Sequence, residues 1–210
     1  MQLYGYGEDA LTFRAVTTGL RNLLAQLDDP SNADDVTVLF RPSFGRRGGA
    51  RRGKRGSSFG EFDAIVGTPK AVYLIESKWS RSGEAWRPSL MLRPEQTRRH
   101  DVLRWYLDRW RLECASDWPA FATPSVIADF EDAFPELTLP RNDSVLADSL
   151  GYLLPMLAAN GKSTRDVLLY CDVDKRQCPP LSDLLRFTLV NMPISNAHVS
   201  GYFAMETSAL

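Results

Sequence analysis

Apolar residues recur at three- and four-residue spacing through Phe13, Val16, Leu20, Leu23, Leu24 and Leu27. This predicts one helix over 8–27, ended by Asp28-Asp29-Pro30. Val36 to Phe40 is a β-branched run, read as a strand that extends to Phe44. Residues 59–67 and 71–79 are two apolar strands joined at Thr68-Pro69-Lys70, which predicts a hairpin. Residues 81–92 are polar, contain Pro88 and read as a loop. Pro94 suits a first helical position, and 94–113 reads as a helix rich in Arg and Trp. Residues 114–166 are mixed and mostly helical. Val167 to Val173 is a strand, Leu181 to Val190 a helix, and His198 to Met205 a last strand. This order of helices and strands predicts an α/β fold around a mixed sheet, and the length suits a single domain, 1–210.

The hairpin changes the picture from fold to chemistry. A turn centred on Pro69-Lys70 sets Ile65 opposite Leu74, Asp63 opposite Glu76, and Glu61 opposite Lys78. Alternation then gathers Glu61, Asp63, Glu76 and Lys78 on one face, with Phe62, Ala64 and Val66 on the other. Directly opposed residues have Cβ atoms roughly 5 Å apart, so Asp63 and Glu76 can share a hard divalent cation. A lysine two residues beyond Glu76 lies beside the same metal, where it can orient or deprotonate a bound water. A solvated sheet face with cross-strand ion pairs explains the spacing equally well. Ile65, Val72 and Leu74 on the same face favour burial.

Charge is segregated. The chain has 25 Lys plus Arg and 26 Asp plus Glu, a net charge of -1. Residues 41–111 hold 17 basic and 7 acidic side chains, or +10, and the remainder carries -11. Neutral net charge therefore does not argue against a polyanionic partner. Residues 45–58 read GRRGGARRGKRGSS, a basic loop in which Arg46, Arg47, Arg51, Arg52, Lys54 and Arg55 are candidate phosphate contacts. The helix over 94–111 adds Arg98, Arg99, Arg104, Arg109 and Arg111; its Trp105 and Trp110 read as core. The 114–166 insertion is acidic and reads as a helical cap.

Other chemistry is excluded. Two histidines, His100 and His198, are too few for histidine-rich metal hydrolases, and His100 reads as a helix-surface residue. Three widely spaced cysteines form neither a zinc ribbon nor a disulfide framework. Gly161-Lys162-Ser163 lacks the first glycine of a phosphate loop, because Met156 stands there, and Gly161 reads as a helix C-cap. Asp172 and Asp174 read as a structural strand end. The longest apolar run, Leu150 to Ala159, is about half of the ~20 residues that span a bilayer. No signal peptide is visible, so the expected location is cytoplasmic.

Asp63, the turn, and then Glu76-Ser77-Lys78 closely resemble the active-site signature of the PD-(D/E)xK nuclease superfamily. That group includes restriction endonucleases, Holliday-junction resolvases and repair nucleases. The resemblance covers about residues 5–112 and 167–173. It implies a restriction-endonuclease-like αβββαβ core around a mixed sheet, here with a mostly helical insertion. It implies that Asp63 and Glu76 are metal ligands and that Lys78 is the catalytic lysine. Many members add a Glu at the start of the first helix; Glu8 matches and is preferred to Asp9. The implied cofactor is Mg2+, with Mn2+ as a substitute, and the implied partner is DNA. A homodimer or a larger defence or repair complex is a further expectation. Phe62 replaces the proline that names the group. The Gln and Tyr four residues apart of RecB-like members are not matched, because His100 follows Gln96. The leading expectation is a magnesium-dependent endonuclease. The alternatives are an inactive or partner-dependent nucleic-acid-binding subunit on a nuclease fold, and a metal-free interaction protein.

Overall fold

The computed structural model describes residues 3–45, 56–83, 89–159, 163–173, 178–180, 186–194 and 201–205. The six candidate basic-loop residues, Asp174, the Gly161 cap and His198 lie outside these residues.

The chain forms a mixed five-stranded sheet between helices. Strands β2 (Thr37–Phe40), β5 (Ala64–Gly67) and β6 (Ala71–Trp79) pair antiparallel in that order, while β7 (Ser163–Asp172) and β8 (Phe187–Pro193) continue the sheet in parallel from β6. The central strands β6 and β7 are apolar and buried on both faces, as parallel strands covered by helices require. Helices α1 (Gly7–Val16) and α2 (Leu20–Gln26) cover Ala64, Val66, Tyr73 and Ile75. Helices α3 (Pro94–Glu113), α4 (Trp118–Phe121), α5 (Pro124–Ala133) and α6 (Val145–Ala159) cover Ile65, Val72 and Leu74 on the other face. The helical part of the insertion thus packs on α3 as a layer of the core.

The turn-centred register holds where the hairpin is paired: Ala64 faces Ile75, Ile65 faces Leu74, and Gly67 faces Val72. Thr68 fixes the turn. Its hydroxyl accepts from the amides of Lys70 and Ala71 and donates to buried Asp29, which also accepts from Tyr73. Serine and threonine close turns in this way because a short side chain reaches backbone groups two residues on.

Several expectations are corrected. The helix over 8–27 is two helices, because the chain breaks at Thr17–Gly19, where a Cβ on Gly19 would stand 2.8 Å from Met192. The strand over 59–67 is also two: β4 (Gly60–Glu61) pairs with β3 (Ser43–Phe44) in a separate ribbon, and the chain bends at Phe62-Asp63. That bend turns Phe62 into the core beneath α3, on the side of Ile65 rather than of Ala64. Residues 187–190 are strand, not helix, because β7 supplies a parallel partner that local periodicity cannot reveal. A strand at the start of the chain, β1 (Leu3–Tyr6), went unpredicted. It pairs with β9 (Tyr202–Met205), and this ribbon leads into α1 through Gly7, whose φ of +63° suits glycine.

Candidate active site

The site forms where the hairpin opens. Beyond the Ala64–Ile75 pair the chain that precedes β5 turns away and joins β3 as β4, whereas β6 continues through Trp79, paired there, among the described residues, with β7. Two backbone amides on the open side of β6 would lack ladder partners, a costly condition in a buried strand. Acids take their place. Asp63 Oδ2 accepts from the Ser77 amide at 2.7 Å, and the Trp79 amide donates to Glu8. Helix α1 is set against the strand by Thr12, whose hydroxyl bonds Ser77 Oγ at 2.7 Å.

Lys78 stands among these acids. Its Nζ donates to Glu76 Oε1 at 3.0 Å and to the Ser77 carbonyl at 2.8 Å, and lies 3.7 Å from Glu8 Oε1. Both Glu76 and Lys78 are deeply buried, at 1% and 4% exposure. Glu76 receives two further donors from α3, Gln96 Nε2 on Oε1 and Arg99 on Oε2. Gln96 is itself fixed, because its Oε1 accepts from the Arg93 amide at 2.8 Å and closes the start of the helix.

Asp63, Glu76, Lys78 and Glu8 therefore converge. Asp9 faces outward and pairs with Arg41. Glu61 does not face Lys78; the bend carries it to Arg41 and Ser43. Gln96 and Arg99 were not anticipated as part of the site. Their signal was present in phase: 96, 99 and 100 extend at helical spacing the buried stripe of Leu103, Tyr106, Leu107 and Trp110.

The electrostatics are unbalanced. Burial raises the carboxyl of Glu8 to about 7; Lys78 opposes this, while Asp63 and Glu76 add to it. Burial, and then the charge of Glu76, raise Asp63 to about 6 against the Ser77 amide, Lys78 and Arg99. Burial alone would lower Lys78, but Glu76, Glu8 and Asp63 raise it, so the ammonium stays charged.

This donor set suits a hard cation. It offers three carboxylates and no thiol or imidazole, and two of its acids are held toward neutrality by burial and by their acidic neighbours. Glu8, Asp63 and Glu76 would hold such an ion. Among the described residues, no three His, Cys, Asp or Glu side chains already stand close enough together to cage one.

A second charged cluster lies behind α3. Asp166 on β7 accepts from His100 Nδ1 at 2.9 Å and from Arg104, and Arg186 Nε stands 3.3 Å away. His100 is wholly buried between Phe62 and Phe187, not on the helix surface. Burial would raise the Asp166 carboxyl, but the hydrogen bond from His100 and the surrounding positive groups bring it below the usual range. The remaining α3 arginines pair with acids outside the site: Arg98 with Glu136, Arg109 with Glu113 and Asp129, and Arg111 with Asp108. Asp172 is the last residue of β7, and its carbonyl accepts from Ile194.

Among the described residues, no helix is long and apolar enough to cross a membrane. Comparisons with protein-family models, with curated proteins and with solved structures find no match.

Proposed function

We propose that the chain is a magnesium-dependent endodeoxyribonuclease with a restriction-endonuclease-like core. The observation that carries this reading is the gathering of Glu8, Asp63 and Glu76 around the buried ammonium of Lys78 at the open end of β6. The mixed sheet, with α1 and α2 on one face and α3 on the other, is compatible with that core. The expected group would supply a metal-activated water and charge neutralisation at the phosphorus. Lys78, held protonated by three acids, orients the attacking water and offsets negative charge developing on the phosphate oxygens; in that state it does not act as a base. Gln96 and Arg99 fix the rotamer of Glu76. The products would carry 5′-phosphates, and the basic residues 46, 47, 51, 52, 54 and 55 would contact the backbone.

Incubation of supercoiled plasmid with the protein in Mg2+ tests the reading. Nicking that disappears with EDTA and in Lys78→Ala, while that variant still binds DNA, is the expected result. Undiminished cleavage by Lys78→Ala would sink it.

A second reading is a nucleic-acid-binding subunit without catalysis. One observation favours it: both oxygens of Glu76 are already engaged, by Lys78 and Gln96 on one side and Arg99 on the other. DNA binding with no heat of Mg2+ or Mn2+ binding would select it.

A further inference from the structure

Arg99 differs from every other arginine of α3 that the structure describes. The others meet acids outside the site, whereas Arg99 turns inward to Glu76 Oε2. Its arm is guided: the guanidinium carbon lies 5.6 Å from the Phe62 ring centroid, and a Cβ at Gly60 would stand 3.7 Å from the Arg99 Cδ. The glycine leaves room for the shaft, and the ring faces the head without a hydrogen bond to fix it. The head is incompletely used, because Nε is buried without a hydrogen-bond partner. A side chain 14% exposed also lies close enough to the surface to meet a ligand.

A guanidinium on that oxygen crowds a divalent cation approaching it and repels its charge. It also matches phosphate with the same planar fork of donors that it offers carboxylate. If it left Glu76 with nothing in its place, a buried carboxylate would lose one of its two cationic partners, which is costly.

Resting on the nuclease reading, we propose that Arg99 is a phosphate-responsive latch. In the ligand-free chain it occupies the Glu76 oxygen. A nucleic-acid phosphate draws it away along the Phe62–Gly60 slot, and the vacated oxygen is left for the metal. Arg99 is thereby the residue through which the phosphodiester and the cation favour each other's arrival. By linkage, whatever loosens Arg99 from Glu76 must help the metal, and whatever removes Arg99 must weaken the phosphate.

The test is a pair of titrations on the full chain. Calorimetry measures Mn2+ binding to wild type, Arg99→Met and Arg98→Met without DNA. Fluorescence anisotropy measures binding of a labelled DNA duplex to the same proteins in EDTA. Arg99→Met should bind Mn2+ about tenfold more tightly than wild type, and the duplex about five- to tenfold more weakly. Arg98→Met removes the same charge one residue away and should leave Mn2+ binding at the wild-type value. Unchanged or weaker Mn2+ binding by Arg99→Met overturns the latch, as does an equal gain in Arg98→Met, which would mean long-range charge alone. Tighter Mn2+ binding with unchanged DNA binding overturns the phosphate half. No Mn2+ binding by any of the three proteins overturns the nuclease reading and the latch with it. Arg99→Gln, which leaves a neutral donor near Glu76, is the second variant should Arg99→Met not fold; the same directions are expected.

Discussion

Glu76 and Asp166 lie on neighbouring strands, both buried, and each meets an arginine from α3. Their surroundings differ in balance. Asp166 meets three basic side chains, His100, Arg104 and Arg186, of which Arg186 also pairs with Asp101, and its carboxyl is held below the usual range. Glu76 shares Lys78 and Arg99 with Asp63, and Lys78 with Glu8, and those two neighbours are pushed up to about 6 and about 7. A cluster with surplus positive partners fastens α3 to β7. A cluster with surplus acid is one that a cation would stabilise, as the proposed reading requires. On that reading the two clusters differ in the count of partners, since both are buried.

The largest effect that would break this contrast is catalytic. Lys78→Ala is expected to lower the nicking rate by about a hundredfold or more in protein that is less stable but still folded at the assay temperature, since Arg99 remains on Glu76, as gel assay and calorimetric scanning would read. A collapse of stability instead would make the front cluster a clamp like the rear one. Next, Asp166→Asn should destabilise the chain by about 3 kcal/mol, because it removes the acid that buried basic groups share. The melting temperature should then fall by roughly 10 °C. A small loss would deny the rear cluster its structural part.

The clusters should also tilt stability with pH in opposite directions. Glu8 and Asp63 have raised carboxyls, so their contribution is full below the ordinary carboxylate range and is lost as pH rises through about 6 and about 7. Asp166 is lowered, so its contribution is present above that range and is lost in acid. In EDTA the melting temperature should fall by roughly 5 °C between pH 5 and pH 8, and Mn2+ should abolish the fall. A flat profile without metal would contradict the acid surplus. The smallest effect has the most telling sign. Asp63→Asn keeps an acceptor for the Ser77 amide and removes one like charge, so at pH 8 it should raise metal-free stability by about 1 kcal/mol. Asp166→Asn does the reverse, and denaturant titration of the two variants at one pH compares them directly.

The hairpin was legible because Pro69-Lys70 defines a turn and alternation then leaves one register. The spacing of Asp63, Glu76 and Lys78 followed from it. What escaped depends on contacts distant in sequence. The bend at Phe62-Asp63 arises because β4 finds Ser43–Phe44 and not β6, and so Glu61 leaves the site. Leu181, Leu184, Leu185 and Leu189 recur at helical spacing in the sequence, yet from Phe187 onward β7 offers the chain a parallel edge. Strand β1 is too short and glycine-broken to announce itself without β9. His100 looked like a surface residue until its partner, 66 positions away, was placed. Gln96 and Arg99 were polar letters in a buried phase, a pattern that composition alone describes as a basic helix.

The open strand also bears on association between molecules. The Ser77 and Trp79 amides have the spacing that any extended segment seeks when it adds itself to a sheet. Asp63 and Glu8 occupy both amides and carry charge to the spot. They therefore act as gatekeepers against strand exchange between molecules. A variant that empties the site of its acids would also uncover an adhesive edge, so its first symptom could be precipitation before any loss of turnover is measured.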